Sequence, residues 1–146
     1  MKFTHLSKTQ IIKFHTPKKL GKHMKPRGLW FACEDAWKEY VKVELSSDWL
    51  ESHKYEYTAE LDESKLIILK TAKDIQEFND QFSGDEDFYS IDWDKAKKVT
   101  GKSGIFIKNP QIFKARQKYL WYASFDICSV AVWKKDAIKS FVEHKI

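Results

Sequence analysis

His5, Trp30 and Asp126 are the side chains whose type and setting offer chemistry in this sequence. His5 stands in His5-Leu6-Ser7, an imidazole followed two positions later by a hydroxyl. A histidine in a strand is also an ordinary core residue once its ring nitrogens find partners. Trp30 stands in Arg27-Gly28-Leu29-Trp30-Phe31-Ala32. Its indole offers a flat face to a cationic ring, or plain bulk to a core, which is the reading for Trp37 and Trp121. Asp126 lies between Phe125 and Ile127. An unpaired carboxylate is costly in apolar surroundings, so Asp126 is expected to have a partner or a task, and capping a turn is one such task.

Other chemistries lack their patterns. His5, His15, His23, His53 and His144 form no HxH, HExxH or His–Cys cluster, so no metal site is expected. There is no P-loop, GxGxxG or GxSxG. The acidic pairs Asp92 with Asp94 and Asp85 with Asp87 read as solvated turns. Cys33 and Cys128 are the only cysteines. Without a CxxC they read as reduced, buried thiols in a reducing compartment. The first residues lack the apolar run of a signal peptide, and no stretch approaches a membrane span. The expected location is the cytoplasm, with no membrane partner.

The chain has 146 residues, 42% hydrophobic and 15% aromatic, which suits a single domain over 1–146 with a ring-rich core. Its net charge of +5 comes from 24 lysines and two arginines, Arg27 and Arg116, against 21 acidic residues. Sequence-specific readers of nucleic acid lean on arginine forks, which are scarce here. A positive field also suits an anionic small ligand such as a dinucleotide.

Patterning supplies the elements that must position these side chains. Met1 to Ser7 reads as a strand, with Phe3 and His5 on one face. Lys8 to Lys25 reads as a basic loop with a turn of helix. Gly28 to Ala32 is a short apolar strand after Pro26. Cys33 to Val43 carries Trp37, Tyr40 and Val41 at helical spacing, with Glu34 and Asp35 at its start. Tyr55 to Leu61 alternates as a half-buried strand, and Leu66 to Leu69 is another. Thr71 and Asp74 form a capping box for a helix with Ile75, Phe78 and Phe82. Gly84 to Asp87 is a turn. Asp92 to Val99 is a helix with Trp93 and Ala96 inward, and Gly104 to Ile107 is a buried strand ended by Asn109-Pro110. Leu120 to Ser124 and Val130 to Trp133 read as strands, and Lys135 to Val142 as a helix or an edge strand. Strands outnumber helices without βαβ alternation, so the class is α+β with mostly antiparallel sheets.

The ordered set of His5-Leu6-Ser7, Gly28-Leu29-Trp30-Phe31-Ala32 before a helix, Tyr55 to Asp62, Gly104 to Ile107 and Asp126 to Trp133 resembles the ADP-ribosyltransferase superfamily. The branch is the His-Tyr-Glu one, as in small bacterial and phage members. The poly(ADP-ribose) polymerase branch has Gly-Ile-Tyr-Phe-Ala where this chain has Gly28-Leu29-Trp30-Phe31-Ala32. The resemblance implies two small, mostly antiparallel sheets around an NAD-binding cleft with flanking helices.

It further implies transfer of ADP-ribose from NAD to a protein or nucleic-acid acceptor, or NAD cleavage, through an oxocarbenium-like centre. On that reading His5 and Ser7 meet the adenosine ribose. Gly28 and Leu29 hold the nicotinamide amide through their backbone, Trp30 stacks on the pyridinium, and Lys25, Lys22 or Arg27 meets the pyrophosphate. The family's glutamate falls near Ser129, where no glutamate stands, and Asp126 is the nearest carboxylate. A catalytically silent domain of the same fold, binding a nucleotide or a protein, is the alternative. A lysine-rich nucleic-acid-binding module is the third reading.

Overall fold

In a computed structural model the chain is described over residues 1–44, 47–84 and 88–145. Apolar residues at every second position bury one face of a strand, an alternation clearest over Tyr55–Leu61 of the main sheet. Its strands are β1 (Phe3–Ser7), β3 (Leu29–Cys33), β4 (Tyr55–Leu61), β5 (Leu66–Leu69), β7 (Gly104–Ile107), β8 (Ser129–Val132) and β9 (Ile138–Lys145). They lie in the order β5-β7-β8-β3-β1-β4-β9, and β2 (Lys22–His23) pairs with β6 (Ile91–Asp92) in a second, two-stranded sheet. β5 and β7 run parallel, and the other neighbours are antiparallel. The class is therefore α+β and mostly antiparallel. The two expected small sheets are instead one wide sheet and one minimal one.

β7 and β8 are buried at every position, which is why Gly104 to Ile107 is continuously apolar rather than alternating. One core cluster joins Ile105 and Ala131 to α3 (Ala72–Phe82), α4 (Trp93–Thr100), α5 (Phe113–Lys118) and α6 (Leu120–Ala123). A second cluster, around Phe3, Phe31, Phe106 and Val130, covers the other face. α1 (Ala36–Glu44) and α2 (Ser47–Ser52) follow β3.

Local signals hold where they were strongest. The Thr71 hydroxyl accepts from the Asp74 amide at 3.1 Å, and the Asp74 carboxylate accepts from the Thr71 amide at 3.1 Å, closing the capping box of α3. Such a cap contributes about 1 kcal/mol. The Lys70 amide, which donates to the same carboxylate at 3.0 Å, and then the Thr71 amide hold the Asp74 carboxyl below its ordinary range.

Several expectations change. Leu120 to Ser124 is not a strand. Leu120–Ala123 is a helical turn, with the Ala123 amide donating to Tyr119 and the Ser124 amide to Leu120. A short aromatic run fits either state, and packing of Trp121 into the first cluster decides it here. Of the two options for Lys135 to Val142, the strand holds, following a short 3-10 turn at Lys135–Ala137. Residues 8–25 contain β2 and no turn of helix. α1 begins at Ala36, after Glu34, which has φ 50.

Asp92 caps α4 as expected of a helix start, accepting from the Lys95 amide at 3.1 Å. Asp94 is not a solvated turn residue: its carboxylate accepts from the amides of Leu20 at 2.8 Å and Gly21 at 3.0 Å. In the turn read at Gly84 to Asp87, residues 85–87, including the pair Asp85 and Asp87, lie outside the described residues.

The largest correction concerns the thiols. Cys33 and Cys128 are joined in a disulfide across 95 residues, with Cα atoms 5.4 Å apart. β3 ends beside the segment that leads into β8, and the Cys33 amide donates to the Cys128 carbonyl at 3.0 Å. The reading of a reducing compartment loses the free thiols on which it rested. Among the described residues no helix is long and apolar enough to cross a membrane.

Candidate functional site

The cleft begins where β1 leaves β3. β1 keeps five paired positions with β4, from Phe3 to Ser7, but only two with β3, Phe3 with Cys33 and Thr4 with Ala32. Past Thr4 the strands part, and His5 spans the gap, its Nδ1 donating to the Trp30 carbonyl at 2.5 Å. That bond fixes the proton on Nδ1 and leaves Nε2 as an acceptor. Burial lowers the His5 pKa below 6.5, His53 lowers it further, and the Trp30 carbonyl opposes them in part. At neutral pH the ring is uncharged.

A cleft of about 500 Å³ opens over this gap. His5, Lys25, Trp30, Asp126 and Ser129, from three separate stretches of sequence, line it together. The Trp30 ring packs against Phe125 with centroids 5.7 Å apart. Lys25 places Nζ 5.9 Å from the Trp30 ring and 5.3 Å from the Phe125 ring. Burial lowers the Lys25 pKa, and the nearby Asp126 charge partly offsets this. Ser129 opens β8 opposite Ala32, at the position where the family resemblance sets its glutamate.

Asp126 is about half exposed rather than sunk among apolar neighbours, and it has partners. Arg116 Nη2 lies 3.8 Å from one carboxylate oxygen, and the Tyr40 hydroxyl donates to the other at 3.4 Å. The Asp126 charge is in turn the main cause that raises the Tyr40 pKa.

His5 and Trp30 border the cleft from opposite sides of the sheet plane. Strand alternation turns Trp30 toward Phe125, whereas the His5 ring sits 6.1 Å from Phe31 and 6.3 Å from Tyr57. The Trp30 carbonyl is the link between them.

Ser7, Arg27, Gly28 and Leu29 stand outside the cleft lining. The Ser7 hydroxyl donates to the Thr9 carbonyl at 2.6 Å and shapes a turn. At Gly28 a Cβ would come 2.6 Å from the Val132 carbonyl oxygen, so glycine lets β3 approach β8 there. Lys22 lies in β2 rather than in the cleft.

Sequence reasoning missed the opposite wall. Trp37 and Tyr40 of α1 stack at 5.3 Å, and Trp49 of α2 meets Trp37 edge-on at 5.6 Å. All three line the cleft. His53 stacks on Trp49 at 3.5 Å and bonds its carbonyl, bracing that wall. The signal was present in the three-residue spacing of Trp37 and Tyr40. A helix stripe of half-exposed rings reads the same as a core stripe until its cover is known.

Stacking faces, one ammonium at the rim, one neutral imidazole and one carboxylate suit a flat, polar, phosphate-bearing molecule. Among the described residues no group of three or more His, Cys, Asp or Glu could hold a metal ion. Comparison with protein-family models, curated proteins and solved structures found no match to this chain.

Proposed function

We propose that the cleft binds NAD and that the domain transfers its ADP-ribosyl group to an acceptor or to water. The observation that carries this reading is one cleft lined by Lys25, Trp30, Asp126 and Ser129 that reaches His5 through the gap where β1 leaves β3. Its volume of about 500 Å³ falls within the range of small-ligand sites. The Trp30 face receives the pyridinium, and Lys25 meets a phosphate oxygen. Nε2 of neutral His5 accepts from a ribose hydroxyl. Asp126 supplies negative charge beside the ribose whose bond to nicotinamide breaks.

A silent nucleotide binder is the second reading, and one observation favours it: Ser129 occupies the glutamate position while Asp126 is already engaged by Arg116 and Tyr40. Calorimetry with NAD and an assay of nicotinamide release separate the two. Binding with release supports the enzyme, binding without release under any acceptor supports the silent domain, and absence of binding removes both. In an active protein Asp126→Asn should lower nicotinamide release about a hundredfold with NAD affinity little changed. Unchanged turnover would eliminate Asp126 as the catalytic carboxylate.

A further inference from the structure

Charge is spread unevenly along this chain. Residues 1–33 hold eight of the 26 basic side chains and none of the 21 acidic ones. The remainder carries 18 basic and 21 acidic side chains, so the positive surplus belongs to the first stretch. Most of it lies on the connection from β1 to β3, residues 8–28. There Lys8, Lys13, Lys18, Lys19 and Arg27 are all exposed. Among the described residues none of these five forms an ion pair with a carboxylate.

This connection is pinned at several points despite having little regular structure. The Ile11 amide donates to the Tyr57 hydroxyl at 2.6 Å. Leu20 is buried in the first core cluster, and its amide is held by Asp94. The Trp93 indole donates to the His23 carbonyl at 3.0 Å. Fixed cations with no acidic neighbour in sequence repel one another, and a bound polyanion relieves that repulsion. The track ends by delivering Lys25 to the cleft, whose far wall carries the partly exposed rings of Trp37, Tyr40 and Trp49.

We propose that residues 8–28 dock the phosphodiester backbone of single-stranded nucleic acid and lead its bases to the Trp37–Tyr40–Trp49 wall. Phosphates match the lysines as point charges, with little demand for sequence. Unpaired bases match rings that keep part of their surface toward the cleft, which a duplex with its bases stacked inside does not. The proposal does not depend on NAD binding, and its test contains no NAD.

The test is fluorescence polarisation of a labelled oligothymidylate about 20 nucleotides long, titrated across a sodium chloride series. Two variants with equal change in net charge are compared. One carries Lys8→Gln, Lys13→Gln, Lys18→Gln and Lys19→Gln. The other carries Lys98→Gln, Lys114→Gln, Lys134→Gln and Lys135→Gln. For the native chain the plot of log affinity against log salt should slope about −0.7 per phosphate engaged, about −3 for four lysines. The first variant should lose about tenfold or more in affinity and most of that slope, while the second keeps both.

Equal losses in the two variants would reduce the effect to overall charge and overturn the proposal. So would a flat salt dependence of the native chain, a measurement that needs no variant to fold. Tighter binding of the matching duplex, or of polyglutamate, would overturn the choice of single strands.

Discussion

Six tryptophans divide into two sets of three, and the division separates scaffold from site. Trp93, Trp121 and Trp133 are fully buried, and each indole N–H has an acceptor: the His23 carbonyl, the Asn79 side chain and the Lys102 carbonyl, all within 3.0 Å. Trp30, Trp37 and Trp49 line the cleft, partly exposed, and among the described residues their N–H groups donate to no protein atom. A buried indole has to satisfy its N–H inside the fold, whereas one beside solvent keeps both its face and its donor available. The same residue type therefore does opposite work on the two sides of Phe125, which touches both Trp121 and Trp30.

The largest effect is expected in the buried set. Trp121→Ala should cost about 3–5 kcal/mol, through the cavity it leaves and the orphaned Asn79 side chain. Urea denaturation reads this as a lower midpoint, and a loss as small as that of an exposed substitution would dissolve the distinction. Next, reducing the Cys33–Cys128 bond, which closes a span of 95 residues, should cost about 2–5 kcal/mol. Denaturation with and without a dithiol measures it, and identical curves would restore the free-thiol reading.

In the cleft set the balance reverses. Trp30→Ala should weaken NAD binding by about 1–2 kcal/mol while the fold survives. Calorimetry and a thermal melt on the same sample check both halves, and a variant that unfolds would move Trp30 into the scaffold.

The smallest effect is a slope. The folded pKa of His5 lies below the ordinary 6.5, so below that pH the unfolded chain binds a proton that the folded chain refuses. Stability from His5 is present above about pH 6.5 and is lost as pH falls toward its folded pKa. His5→Gln should flatten that part of the stability profile, and an unchanged slope would assign it to another group.

The sequence was readable where a local rule decides the outcome. Thr71 and Asp74 meet within one turn of chain, and Tyr55 to Leu61 alternates within one strand, so neither needs the rest of the fold. The Leu120 to Ala123 turn was not readable, because four residues rich in rings satisfy strand and helix alike and only packing under α3 selects. Nor was the disulfide, since nothing near Cys33 announces Cys128. For the site, His5, Lys25, Trp30, Asp126 and Ser129 were legible as a set through the family resemblance. The wall of Trp37, Tyr40 and Trp49 was not, because half-exposed rings on a helix carry the same periodicity as buried ones.

The strand order has a consequence for how the chain must assemble. β1 must find β4 across the long stretch that holds β3, α1 and α2, and the free side of β4 waits for β9, whose Glu143 meets Tyr57 across 86 residues. β3 likewise waits for β8. Loop closure over such distances must precede any gain from the ladder, which makes folding slow and leaves a half-built sheet with open hydrogen-bonding edges. Lys139 and Glu143 put charged side chains on the last strand. Once β9 has docked, the edge it forms, opposite the β5 edge, is one that discourages a second copy from adding there.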